Sequence, residues 1–196
     1  PDAQRKDAGA RRAQLLASDV AVLCLPDDAA REVASWSEDS RVRLLDASTA
    51  HRVAAGWSYG LPELAPSQRD AIRTAKRVSN PGCWPTGFVL LLRPLADAGL
   101  VARDAPIVCH GLSGYSGGGT PLIAKWEDPV ADLGALVYEA PYALERVHKH
   151  VPEMQCYAGL AREPQFLPAV GAFRCGMRVQ VPLHADLLAR GATGKA

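Results

Sequence analysis

The sequence predicts an α/β protein, with a parallel sheet alternating with helices in residues 1–82 and an α+β unit in residues 83–196. Three observations carry this reading. Short unbroken apolar runs end at Pro, Asp or Asn, as strands buried on both faces of a parallel sheet do. Those runs alternate with helical patterns, which argues for parallel pairing. Beyond residue 100 the strands are separated by longer excursions, and one of them partly alternates as an open-faced antiparallel strand would.

In "SDVAVLCLPDDAAREVASW", residues 20–25 form the first strand, Pro26, Asp27 and Asp28 turn the chain, and a helix follows. "RVRLLDAS" repeats the strand at 42–48. "PSQRDAIRTAK" is helical near 66–76 and leads into a third run, "RVSN". Ligands of such sheets gather at the carboxyl ends of the strands. Here those ends are Leu25 to Asp27, Asp46 to Ser48 and Ser79 to Pro81. In the second half a helix is expected over 84–98, stopped by Gly99. "APIVCHGLSGYSGGG" reads as a strand ending in a glycine-rich loop, and "FRCGMRVQVPLH" at 173–184 as an antiparallel strand. The tail "LLARGATGKA" fades into small polar residues and is expected to be loose.

Composition narrows the function. With 48% hydrophobic and 22% charged residues the chain can bury a core. A net charge of +1 and the lack of a basic run argue against a nucleic-acid surface. No apolar stretch approaches the roughly 20 residues needed to cross a bilayer. The first twelve residues are polar, without an apolar signal core. Five cysteines without a CxxC pair read as free thiols of a reducing compartment, so a cytoplasmic location is expected.

"SNPGCWPTGFVLLL" at 79–92 concentrates the chemistry. Cys83 stands at the mouth of a helix, where the macrodipole and unpaired N–H groups favour a thiolate and could hold a developing oxyanion. Pro85 suits a first turn, and Gly82 permits close backbone approach. A packed cysteine in a tight turn would fit the same residues. A thiolate needs an acid/base partner. His51 ends a strand, His110 lies in an apolar strand and reads as structural, and His184 reads as solvated. In "VHKHVPEM", Pro152 and Glu153 mark another helix start, so His150 can aim inward while His148 faces elsewhere. A zinc reading of His148, His150 and Cys156 lacks a fourth ligand at suitable spacing, and no metal is expected.

Taken together, these segments resemble one family. "SNPGCWPTG" is similar to the SNPGCYPTG signature of the N-acetyl-γ-glutamyl-phosphate reductases, with Trp84 in the tyrosine place. "LLDASTAHR", "YGLPEL", "SGYSGGG", "HKHVPEM" and "FLPAVGAFRCGMRVQVPLH" follow in the order of that family's shorter bacterial type. The resemblance implies a partial Rossmann-like NADP-binding domain in 1–82, and in 83–196 a catalytic and dimerisation domain of the glyceraldehyde-3-phosphate dehydrogenase C-terminal type. It implies NADPH-dependent reduction of N-acetyl-γ-glutamyl phosphate to the semialdehyde and phosphate, a step of arginine biosynthesis, in a dimer or tetramer. Cys83 would be the nucleophile and His150 the acid/base. Arg52, Ser113, Gly114 and Glu153 would meet substrate, and Leu25, Pro26, Asn80 and Gly82 the NADP. Two alternatives share the residues: an aspartate-semialdehyde dehydrogenase-like enzyme, and a remnant that folds or pairs without turnover.

The family's glycine-rich GxxGxxG-like turn has no counterpart before residue 20, and the likeness stops after "VPLH". The chain is therefore expected to be an incomplete copy, with an open strand edge, an exposed apolar face and weak cofactor affinity.

Overall fold

The computed structural model describes residues 7–128, 130, 139–145, 147–189 and 192, and divides into two compact units, Pro1–Cys83 and Trp84–Ala196. In the first unit, β1 (Val20–Leu23), β2 (Arg43–Asp46), β3 (Ser58–Tyr59) and β4 (Arg77–Ser79) form one parallel sheet in the order β1-β2-β4-β3. Helix α1 (Ala8–Leu16) is capped by Asp7, whose carboxylate accepts the Ala10 N–H at 2.6 Å. Helix α2 (Asp27–Ser35) starts after Pro26 with Asp27 and Asp28 in its first turn, where negative charge is favoured. Leu15, Val33 and Ala34 from these helices pack with Leu23, Val42 and Leu44. Helix α3 (Gln68–Thr74) is shorter than the pattern at 66–76 suggests. Arg43 on β2 donates to the carbonyls of Arg73 (2.7 Å) and Ala75 (2.9 Å), supplying the acceptor-rich end of α3 with a cation.

One expectation fails here. The run at 20–25 reads by itself as buried on both faces, yet Val20 and Val22 are each 60% exposed, which matches the open strand edge and exposed apolar face that the resemblance implies. Strand β1 lies at the edge of the sheet, and α1 and α2 cover the face that carries Leu23. An apolar run therefore records two apolar faces, not two covered ones. Strand β3 was not anticipated, because two residues are too few to show a period.

Helix α4 (Cys83–Asp97) begins at the last residue of the first unit and otherwise belongs to the second. The second unit's sheet is mixed, in the order β6-β7-β5-β8. Strand β5 (Val108–Gly114) pairs in parallel with β7 (Gln165–Gly171), while β6 (Glu139–Pro141) and β8 (Met177–Gln180) add antiparallel edges. Among the described residues, helices α5 (Gly119–Trp126) and α6 (Val151–Ala158) also belong to this unit. Helix α4 buries Trp84, Phe88, Val89 and Leu92, and its first turn approaches β5 closely. A Cβ on Gly111 would fall 2.5 Å from Trp84 Cζ3, so glycine is what lets the indole lie on the strand.

Three second-half expectations change in detail. The glycine-rich stretch is not a simple loop: a 3₁₀ turn over Tyr115–Gly118 runs into α5. The strand expected over 173–184 is regular only at Met177–Gln180, because residues 172–175 bend across the end of β5. His110 is exposed, since neighbours along β5 alternate faces and Cys109 takes the buried one. The loose tail expected at 187–196 lies largely outside the described residues.

Candidate functional site

In the first unit the parallel strands bring three chain turns to one end of the sheet. Leu25 is half-buried and Pro26 exposed after β1, and Asn80 is exposed while Gly82 is buried after β4. Between them the turn after β2 is built on two carboxylates. Asp46, fully buried, accepts the Ser48 N–H (2.9 Å), the Ser48 hydroxyl (2.8 Å) and His51 Nδ1 (2.6 Å). Asp27 at the start of α2 accepts the Thr49 N–H (3.0 Å) and hydroxyl (2.5 Å). Trp57 stacks on the His51 ring with centroids 4.0 Å apart. This turn delivers Arg52, itself buried, whose Nε donates to the Asn80 carbonyl (3.0 Å) and Nη2 to that of Ala47 (3.3 Å). Arg52 thus ties the ends of β2 and β4 together.

Cys83 is exposed and is the first residue of a 15-residue helix, so its sulfur stands at the positive end of the α4 dipole. Cys24, Cys156 and Cys175 are exposed as well, but none of them is the first residue of a helix. Cys109 is buried, which pushes its thiol up to about 12, and partial burial also raises Cys156 against the opposing Arg93.

In the second unit, His150 is the N-cap of α6 and is buried. The His150 N–H donates to His148 Nδ1 at 3.1 Å, and the Val151 N–H donates to the His148 carbonyl at 3.0 Å. His148 is half-buried, with its centroid 4.9 Å from that of His150, 5.7 Å from Tyr142 and 5.0 Å from Phe166, edge-on. Burial, aided by Lys149 and opposed by Glu145, lowers its pKa. Trp84 joins this aromatic group through an Nε1–H donated to the Tyr142 hydroxyl at 3.1 Å. Glu153, in the first turn of α6, is 1% exposed. Burial, then Cys156 and Glu153, push the Tyr157 hydroxyl up to about 12.

Ser113 and Gly114 end β5 and are both buried. A Cβ on Gly114 would lie 2.6 Å from the Arg174 carbonyl oxygen, so the bend at 172–175 also explains the glycine. Elsewhere in this unit a cavity of about 600 Å³ is lined by Leu91, Leu95, His110, Val179 and Pro182, and holds none of the expected site residues. Among the described residues no three His, Cys, Asp or Glu side chains converge as metal ligands, and no helix is long and apolar enough to cross a membrane. Sequence reasoning overlooked Asp46 and Trp57 as partners of His51, although Asp-x-Ser is a side-chain-to-backbone turn signal. It also overlooked His148 as a backbone acceptor.

Comparison with known proteins places these features in a family. Residues 3–74 match the semialdehyde dehydrogenase NAD binding domain, and residues 83–193 match the semialdehyde dehydrogenase dimerisation domain. An N-acetyl-gamma-glutamyl-phosphate reductase of Burkholderia ambifaria is 48% identical over 196 residues, covering 100% of this chain and 62% of the relative. One from Mesorhizobium japonicum is 50% identical over 194 residues, with 99% and 62% covered. The chain thus spans about 62% of the length of the curated relatives it matches. Among solved structures, aspartate semialdehyde dehydrogenase II from Vibrio cholerae superposes with a TM-score of 0.63 at 18% identity, over 83% of this chain and 54% of that one. At that identity the likeness speaks for the fold alone. With its second unit matched nearly end to end, and its first unit over the strand and turn that carry Asp46 and Arg52, the chain belongs to the semialdehyde dehydrogenase family.

Proposed function

We propose that this chain carries the catalytic part of an NADPH-dependent N-acetyl-γ-glutamyl-phosphate reductase, a cytoplasmic enzyme of arginine biosynthesis that works as a dimer or tetramer. The observation that carries the reading is Cys83, exposed as the first residue of α4 inside "SNPGCWPTG". The names of the relatives, at 48% and 50% identity, support it.

In this reading residues 1–82 hold the nicotinamide nucleotide and residues 83–196 bind substrate and do the chemistry. The Cys83 thiolate attacks the acyl carbon, and phosphate departs with the electron pair of the broken C–O bond, leaving a thioester. His150 accepts the thiol proton beforehand and later returns a proton to the substrate oxygen. Leu25, Pro26, Asn80 and Gly82 would hold NADP. Pro26 and Asn80 are exposed at one end of a parallel sheet, which suits a dinucleotide crossing the strand ends. When bound, NADPH would supply the hydride that reduces the thioester carbon; the C–S bond then breaks, its electron pair returning to Cys83 as thiolate and releasing the aldehyde. Arg52, already fixed through Nε and Nη2, is the cation for an anionic group of the substrate, and Ser113, Gly114 and Glu153 are further substrate contacts in this reading.

The test is phosphate-dependent oxidation of N-acetylglutamate semialdehyde with NADP, in wild type and Cys83→Ala. Turnover in the wild type, lost in Cys83→Ala, is the expected result. Preference for aspartate semialdehyde, or turnover that survives the substitution, would overturn the reading. Binding of NADP without any turnover would favour a non-catalytic copy.

A further inference from the structure

We propose that His148 is a positioning residue for His150, acting through a neutral imidazole that accepts the His150 backbone N–H; the catalytic part of this rests on the acid/base reading of His150. The start of α6 has unpaired backbone donors, as every helix does. His148 meets two of them by itself, taking the Val151 N–H on its carbonyl (3.0 Å) and the His150 N–H on Nδ1 (3.1 Å). A side-chain acceptor two residues ahead of the donor has the spacing of an Asx turn, with imidazole in place of the amide oxygen. Since Nδ1 accepts, the ring's proton resides on Nε2 and the ring is uncharged.

The ring is also held against rotation. Its edge-on contact with Phe166 and its neighbour Tyr142 fix one side, and Tyr142 is fixed by the Trp84 Nε1–H. Trp84 is in turn seated on Gly111. A continuous set of contacts therefore runs from the residue after Cys83 to the residue that sets the His150 backbone. The groups that bear on the charge of His148 are Lys149, which opposes protonation, Glu145, which favours it, and the His150 and Tyr142 rings beside it. Protonation would turn Nδ1 into a donor facing another donor, and would set a cation 4.9 Å from the His150 ring. The turn that aims His150 thus holds only while His148 is neutral.

The experiment compares wild type, His148→Phe and His148→Asn in the 196-residue chain. Phenylalanine keeps a ring and removes the acceptor, and asparagine restores an acceptor at Asx-turn spacing without a titrating ring. Expected are a kcat loss of roughly 10- to 100-fold with little change in KM for His148→Phe, the scale of a misplaced catalytic group. His148→Asn is expected to recover to within about 3-fold, through the same turn. Hydrogen exchange at the His150 amide should speed up in His148→Phe and slow again in His148→Asn. An acid limb in the wild-type kcat profile should shift or vanish in His148→Asn, a readout that stands even if His148→Phe does not fold. Equal kcat in the two variants, or unchanged amide exchange in a folded His148→Phe, would overturn the proposal. If the wild-type chain shows no turnover, the reductase reading falls, and the amide exchange alone decides whether His148 sets the His150 turn.

Discussion

In each unit a buried or half-buried histidine is held through its Nδ1 atom, and His51 and His148 are held in opposite senses. In the first unit His51 Nδ1 lies 2.6 Å from Asp46, a buried carboxylate that already accepts from Ser48. A carboxylate only accepts, so the proton must sit on His51 Nδ1. In the second unit His148 Nδ1 meets a backbone N–H, so it must present a lone pair. One ring is locked as a donor under a tryptophan lid, within a turn that also delivers the buried Arg52. The other is locked as an acceptor and fixes the backbone of a second, inward histidine. The same side chain thus serves as a strut at one set of strand ends and as a pointer at a helix start. Proximity to a site does not say which: the partner of one ring nitrogen does.

That contrast breaks if the roles can be exchanged. The largest expected effect is on turnover: His150→Ala should lower kcat by roughly 10²–10⁴-fold while the protein stays folded, as loss of a general acid/base does. His51→Ala should act on unfolding free energy first, with kcat per folded molecule changed far less. Steady-state kinetics beside urea unfolding separates the two. A larger kcat loss for His51→Ala would make the strut the catalytic ring.

A smaller effect sharpens the structural side. Asp46→Ala strands three donors, Ser48 N, Ser48 Oγ and His51 Nδ1, in a buried turn. Leaving a buried donor unsatisfied costs about 1–3 kcal/mol, and the first unit should lose stability on at least that scale. Native-state hydrogen exchange at the β2 amides reads it directly. The aromatic group around His148 should keep its protection if the turn is local to the first unit. A loss under about 1 kcal/mol would mean that water replaces the carboxylate at little cost.

How much of this was legible in the sequence depended on how local the cause was. The helix at Cys83 announced itself, because Pro85 and the apolar run that follows are neighbours of the cysteine in the chain. The parallel sheet was legible for the same reason: each strand is a short run closed by its own turn residues. The exposure of Val20 and Val22 was legible only through the family resemblance, which implied an open strand edge and an exposed apolar face; the run by itself does not encode which face α1 and α2 cover. His51 was visible as a strand-end histidine, but its carboxylate partner was not, although Asp46 lies five residues away on the same turn. His148 was set aside because strand or helix periodicity describes where side chains point. It cannot show a ring folding back on its own backbone two residues on. The glycines divide likewise: Gly114 stands in a quoted motif, yet the carbonyl that demands it comes from Arg174, far along the chain.

The smallest expected effect concerns pH and follows from the acceptor role of His148. Burial, with Lys149 beside it, lowers the folded-state pKa of this ring below that of a free histidine, about 6.5 in the unfolded chain. Above that value the ring is neutral in both states and contributes no pH dependence. As pH falls below it, the unfolded chain takes up the proton first, so the unfolded state binds more protons and stability declines. The decline ends once the folded ring also protonates. Comparing wild type with His148→Asn removes every other titrating group common to both. The difference in urea midpoint, followed from about pH 8 to 5, should stay flat down to about 6.5 and then move against the wild type. A difference that is flat throughout would mean that the ring protonates equally in both states and that the His150 turn does not depend on its charge. A shift in favour of the wild type at acid pH would mean that Glu145 outweighs burial, and that the folded ring is held as a cation rather than as an acceptor.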